Sequence, residues 1–195
     1  GTLTGLTVSA DATINSITVG KGTNSVAGNT VLGEAALDAA VTGTNNTALG
    51  FRTLSSNTEG VHNTAVGAYT MFTNTGGDYN TAVGGQALYY TTTGQFNTGI
   101  GYDALQDNTT GSYNTAIGYQ TLDLSTTTSN NTAIGAQALH ANTTGYNNLS
   151  VGAFSLLSNT TGNWNTAVGK DALAANTTAS NNTAVGHDAL TANTT

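Results

Sequence analysis

Asn63-Thr64-Ala65-Val66-Gly67 returns at Asn80, Asn97 (as N-T-G-I-G), Asn114 and Asn131 (both as N-T-A-I-G), Asn148 (as N-L-S-V-G), Asn165 and Asn182, each start 17 residues after the last. Counting back finds N-T-A-L-G from Asn46 and N-T-V-L-G from Asn29, so ten consecutive copies fill residues 29–195, the last one incomplete. A fixed period without insertions implies units that stack, because one extra residue would move every later side chain out of its column. The expected fold is all-β and elongated: a β-solenoid or β-roll of ten 17-residue coils with parallel strand stacking.

With the Asn as position 1, position 4 is a branched aliphatic in every copy (Leu32, Leu49, Val66, Val83, Ile100, Ile117, Ile134, Val151, Val168, Val185). Position 9 is Leu in nine copies and Met71 in the other. These two apolar columns are the expected interior, facing one another. Position 3 is mostly Ala and position 5 is always Gly. Side chains alternate along a strand, so positions 1, 3 and 5 share the second face, made of Asn, Ala and Gly. Such a flat face lets another backbone come close, and it is expected to be where identical chains meet, in a trimeric fibre.

Positions 12 to 15 read Asn-Thr-Thr-Gly at Asn108, Asn142 and Asn159. The Gly at position 15 suggests a turn with φ > 0, although Thr128 and Ala179 also occupy that column. Asn stacked on Asn at positions 1 and 12 suggests amide ladders along the rod. The arm between, as in Tyr102-Asp103-Ala104-Leu105-Gln106-Asp107, leaves two options. Either it is extended, or it forms one helical turn per coil, which requires a steeper rise with strands of other chains between the coils.

Residues 1–28 lie outside the repeat. Leu3, Leu6, Val8, Ala10, Ala12, Ile14, Ile17 and Val19 alternate with polar residues until Gly20-Lys21-Gly22, which suggests a β-rich segment capping the first coil. The 195 residues contain no Pro, no Cys, three Lys+Arg and ten Asp+Glu, for a net charge of -7. No basic surface is available to neutralise phosphates, which argues against nucleic acid as a partner. No apolar run is long enough for a membrane-spanning helix. The start at Gly1 and the stop within a repeat suggest a segment of a longer fibrous protein.

The run N-T-A-V-G-x-x-A-L-x-x-N-T-T-G, nearly whole at 131–145 and 165–178, resembles the tandem repeats of phage tail fibre proteins. The preceding stretch from Asp11 to Gly20 resembles sequences that lead into those repeats. More distantly, N-T-A-I-G is similar to the head repeats of trimeric autotransporter adhesins, left-handed β-rolls with a shorter unit. The tail-fibre resemblance implies a homotrimeric shaft in the virion, a distal receptor-binding tip, and often a C-terminal autoproteolytic chaperone domain. The adhesin resemblance implies a stalk or head on a bacterial surface.

No catalytic constellation is expected, and no cofactor. His62, His140 and His187 fall in different columns (17, 10 and 6) and suggest solvated side chains rather than a metal triad. Asp103, Asp171 and Asp188 share position 7, and the adjacent Asp171 and Asp188 suggest a weak Ca²⁺ site. Aromatics recur at position 17 (Tyr79, Phe96, Tyr113, Trp164) and at position 6 (Phe51, Tyr102, Tyr119). The position-17 rings are candidate surface-binding residues, for sugar faces of a host glycan, or else seam covers between chains. A third function class is an ice-binding solenoid, suggested by the Thr columns at positions 13 and 14.

Overall fold

A computed structural model describes residues 11–14, 16–39 and 41–194. Two short strands, β1 (Ala12–Ile14) and β2 (Ile17–Gly20), form an antiparallel hairpin. Ten more follow, one per repeat: β3 (Thr30–Gly33), β4 (Thr47–Leu49), β5 (Thr64–Val66), β6 (Thr81–Val83), β7 (Thr98–Ile100), β8 (Thr115–Ile117), β9 (Thr132–Ile134), β10 (Leu149–Val151), β11 (Thr166–Val168) and β12 (Thr183–Val185). From β3 onward each strand pairs in parallel with the next in exact repeat register, so that Thr64 lies opposite Thr81, Ala65 opposite Ala82 and Val66 opposite Val83. The chain is a β-solenoid. β2 runs antiparallel to β3, along the edge of the first coil. The predicted strand positions Leu3, Leu6, Val8 and Ala10 lie outside the described residues.

The ladder continues around the whole coil. In the arm, Gln86 N–H donates to Ala68 O in the coil before (3.0 Å), while Leu88 N–H donates to Ala104 O (2.9 Å) and Tyr90 N–H to Gln106 O (2.9 Å) in the coil after. Positions 7 and 9 hold left-handed backbone, φ 58° at Gln86 and 54° at Leu88, which bends the arm without making it helical. Consecutive coils are therefore in direct contact on every side, at the strand rise of roughly 4.8 Å. That excludes both the helical turn and the interleaved strands of other chains. Among the described residues the one helical turn is a 3₁₀ segment, Thr23–Ser25, ahead of the repeats.

The interior differs from the expected one. Position 9 is buried as anticipated, with Leu88, Leu105 and Leu122 all inaccessible, but what faces it is the Ala column, with Ala65, Ala82 and Ala116 equally inaccessible. The aliphatic column at position 4 points outward: Leu49 is 41% exposed and Ile100 37%. Two constraints decide this. The position-1 Asn must face inward to make the bonds described below, and alternation then places position 3 inside and positions 2 and 4 outside. The coil is also narrow there, since a methyl added at Gly99 would lie 3.1 Å from Ala104 O and 3.3 Å from Leu88 Cγ, although the first coil takes a buried Val31 at this position. The Asn/Ala/Gly face thus meets the Leu column of its own chain, and the expectation that it meets other chains is overturned.

Position 1 is a polar spine. Asn97 Oδ1 accepts from the backbone N–H of Asn114 (3.0 Å) and from its Nδ2 (3.1 Å), while Asn97 Nδ2 donates to Gly111 O across its own coil (2.8 Å). The same pattern recurs from Asn46 to Asn165. A second ladder at position 12 links Asn74 to Asn57 (2.8 Å) and Asn176 to Asn159 (2.9 Å). Thr91 and Ser125 interrupt it. There Thr91 Oγ1 and Asn108 Oδ1 are buried without a partner.

The glycine at position 5 is required twice over. Gly84 has φ 129°, and a Cβ on it would lie 2.5 Å from Gly101 O in the next coil. At position 15 the expectation of a positive φ fails, because these glycines are not in left-handed conformation. They are needed for space, since a Cβ on Gly77 would lie 2.4 Å from Asn74 Oδ1 and 2.5 Å from Gly94 O.

Repairing the second ladder should stabilise the chain. Ser125→Asn supplies Asn108 Oδ1 with a donor and is expected to add about 1 kcal/mol, whereas Asn97→Ala, which strips the Asn114 N–H of its acceptor, should cost about 3 kcal/mol. Thermal denaturation by circular dichroism checks both, and equal melting temperatures for the two variants would contradict the ladder account.

Candidate functional site

The outward columns carry the side chains available for recognition. Position 17 has left-handed backbone in each coil, with φ 56° at both Tyr79 and Phe96, and stands at the corner where the strand begins. That conformation aims its side chains outward, and the one-coil rise sets them at the spacing of stacked rings. His62 and Tyr79 have centroids 4.9 Å apart at 6°, Tyr79 and Phe96 5.0 Å at 2°, and Phe96 and Tyr113 5.0 Å at 9°. The stack uses up the faces of Tyr79 and Phe96 and leaves their edges to solvent, so these two offer no platform for a sugar face. Tyr113, the last ring, has no aromatic above it. Trp164 lies apart, edge-to-face against Tyr146 at 4.9 Å and 76°. Of the four candidate rings, three are brought together and the fourth is not.

A second aromatic group was missed by considering only positions 17 and 6. Phe72 and Tyr89, both at position 10, stack at 5.2 Å, with Tyr69 against Phe72 at 5.8 Å and Tyr90 against Tyr89 at 4.6 Å. Their shared column was the available signal. Phe51 meets Tyr69 edge-to-face, Arg52 lies 5.4 Å over the Phe51 ring, and Tyr102 and Tyr119 stack at 6.2 Å. Burial among these neighbours raises the pKa of the Tyr89 hydroxyl.

The titratable groups gather in two places. Asp123 and His140 occupy position 10 of adjacent coils, with Asp123 Oδ2 3.7 Å from His140 Nδ1, which is also 3.2 Å from Gln120 O. His140 is therefore partly enclosed beside a carboxylate and not simply solvated, contrary to expectation. Asp123 is only 6% exposed, and its Oδ1 has no partner. Burial pushes its pKa up to about 6, opposed by His140 and reinforced by Asp103 and Asp107. Burial also raises both of those aspartates, and Gln106 Nε2 donates to Asp103 Oδ1 (2.8 Å).

In the last coils the ligand atoms of Asp171, His187 and Asp188 lie within 4.8 Å of one another. Asp171 already holds the Lys170 ammonium, whose pKa that hydrogen bond raises, and His187 Nδ1 is 3.0 Å from Asp188. Lys170 thus sets a positive charge against the stacked carboxylates, and His187 lies beside them. His62 is taken up in the ring stack. Between hairpin and first coil, an open cavity of about 300 Å³ is lined by Asp11, Asp38 and four hydroxyl side chains, with no basic residue. No family model, no characterised protein and no solved structure matches this chain. No helix among the described residues is long and apolar enough to cross a membrane.

The acidic cluster gives the fold a pH dependence of definite sign. Asp123 binds its proton more tightly folded than unfolded, where an aspartate titrates near 3.9. Its contribution is fully present below about pH 4 and is lost as pH rises through about 6. Allowing for solvent screening, the difference between pH 4 and pH 7 is about 1–2 kcal/mol. Asp123→Asn should be more stable than the parent chain at pH 7 by that amount and equal to it at pH 4. Urea denaturation at the two pH values tests this, and a gap that widens on acidification would refute the assignment.

Proposed function

We propose that this chain is the shaft of a homotrimeric viral tail fibre, a structural element that spaces a host-receptor-binding tip from the virion. The observation that carries the oligomeric part is the outward face of the strands. Positions 2 and 4 of all ten repeats hold nine Thr, one Leu and ten branched aliphatics, with no charge. Val83, Ile100 and Ile134 are each 37% exposed along this face. Ten strands at the β spacing make a strip roughly 48 Å long. Three residues wide at about 3.3 Å each, it offers roughly 480 Å². Nearly half of it is threonine, and what marks it as an interaction surface is a continuous, regular and uncharged strip on a chain of net charge -7.

The viral assignment rests on the resemblance of the repeats to tail-fibre sequences. A bacterial surface adhesin uses the same rod and differs in what the rod joins. The shaft reading also gives the variable outer positions a mechanical context, since a stacked ladder transmits load whatever those positions carry.

One further observation favours the ice-binding reading over the form it took from positions 13 and 14. Thr at position 2 and an aliphatic at position 4 point the same way from nearly every coil, which is a regular array on a flat face. An oligomer that buries this face and a monomer that offers it to ice are mutually exclusive. Light scattering with negative-stain imaging of one sample separates them: the shaft requires a rod of three chains. Replacing Val83, Ile100 and Ile117 together by Lys should then give monomers that keep their β circular dichroism. A monomeric parent rod showing thermal hysteresis would replace the shaft by the ice-binding solenoid.

A further inference from the structure

We propose that the gap in the position-17 column between Tyr113 and Trp164 binds a neutral carbohydrate. One pyranose ring lies on the free face of Tyr113, with its hydroxyls on the amides of Asn130 and Asn147. The site goes beyond a structural role; it borders the position-2 column, so it is open only where the interface between chains ends short of position 17.

Three features converge there. The first is a ring face with no aromatic stacked on it. The planes of Tyr79, Phe96 and Tyr113 are parallel and succeed one another along the rod, so the far face of Tyr113 looks toward the next coil, where Asn130 holds position 17. Exposure follows the stack: Phe96, sandwiched, is 42% exposed, and Tyr113, at its end, is 59%. A ring at the level of Asn130 would continue the stack at the spacing the aromatics already use.

The second is a pair of free amides. Asn130 and Asn147 share the left-handed backbone of Tyr113, with φ 61° and 56° against 61°, so their side chains leave the chain in the direction the rings take. Their backbone N–H groups are bonded to Ser112 O and Ser129 O, and their exposed side-chain amides are left to solvent. Asn45, in the same column, is different, because its Nδ2 reaches His62 Nε2 at 3.3 Å. Each free amide offers both donor and acceptor, the complement of a sugar hydroxyl. An Asn is also shorter than a ring, so two coils of the column lack their outer half.

The third is the character of the walls. Tyr146 and Trp164 close the far end edge-to-face. Leu149 replaces Thr at position 2 just after Asn147, the one break in that column. No charged residue occupies positions 16, 17 or 2 in the four coils from Ser112 to Thr166, so the site offers no ion pair to a charged sugar and suits a neutral one. An aromatic platform with a few oriented polar groups is the general form of a sugar site. An open site of this size holds its ligand at about millimolar Kd.

Saturation-transfer NMR on the full chain, with maltotriose, cellotriose and triacetylchitotriose as probes, tests the proposal. Saturable binding of at least one trisaccharide is expected. It should weaken at least tenfold in Tyr113→Ala and in the Asn130→Ala/Asn147→Ala double variant, persist in Tyr113→Phe, and be unchanged in Tyr102→Ser, which removes an exposed tyrosine elsewhere. These side chains are exposed, so circular dichroism should show every variant folded. The absence of saturable binding for all three probes overturns the proposal, as does binding that survives Tyr113→Ala.

Discussion

Each coil hands one backbone proton to the asparagine below it, and the rest of the architecture follows from that bond. The side-chain oxygen of one position-1 Asn accepts the N–H of the next, while its amide nitrogen reaches across the coil to a carbonyl at the turn. The first bond ties coil to coil and the second ties strand to turn within a coil. Once the Asn points inward, alternation puts Ala at position 3 inside and sends Thr and Val outward. A small residue at position 3 is thus a consequence of the polar spine, because the width left after the amide crosses the coil is that of a methyl group against a leucine.

This reverses the usual relation between apolarity and burial. A solenoid of 17 residues per turn has little interior, and a Leu column with an Ala column fills it. The branched aliphatics stay outside, where their preference for pleated backbone still favours the strand. A regular uncharged strip on an acidic protein is then a property the fold generates in every coil. That strip is the physical basis of the proposed assembly, independently of any likeness in sequence.

Much of the fold was legible. An unbroken period of 17, with Asn at position 1 and Gly at position 5 in every copy, gave parallel in-register strands and the asparagine ladders. The direction of the faces was not, because ranking columns by hydrophobicity put Val66 and Ile100 in the core. Only the bonding needs of Asn63 or Asn97 could have corrected it. The arm was illegible for another reason. Gln86, Leu88 and Leu105 hold left-handed backbone that their residue types disfavour, and the coil-to-coil hydrogen bonds impose it. At the candidate sites the columns were visible in the sequence, but their consequences were not. The alignment of Tyr79, Phe96 and Tyr113 could be counted, yet their mutual stacking depends on a rise and a backbone conformation absent from the spacing. The Asp123–His140 contact lay in a column that could be read, and was passed over because its two members differ in type.

The departures from the repeat sort by the direction in which they point. Inward changes find a partner or leave a trace: Thr53, Thr70 and Thr121, at position 8, donate to Gly67 O, Gly84 O and Gly135 O. Ser150 and Ser155 replace small residues on facing sides of one coil, and their hydroxyls lie 2.5 Å apart in hydrogen bond, whereas Ser125, alone, leaves Asn108 Oδ1 unpaired. Outward changes carry no such cost. Position 17 passes from Tyr113 to Asn130 to Trp164 while the strands beside it keep the same register throughout. A side chain outside the coil meets other outward side chains of its own and adjacent columns, as Tyr69 meets Phe51 and Phe72. The stack therefore separates what holds the rod together from what the rod displays, and a run of outward substitutions can acquire a binding chemistry with no change in the ladder.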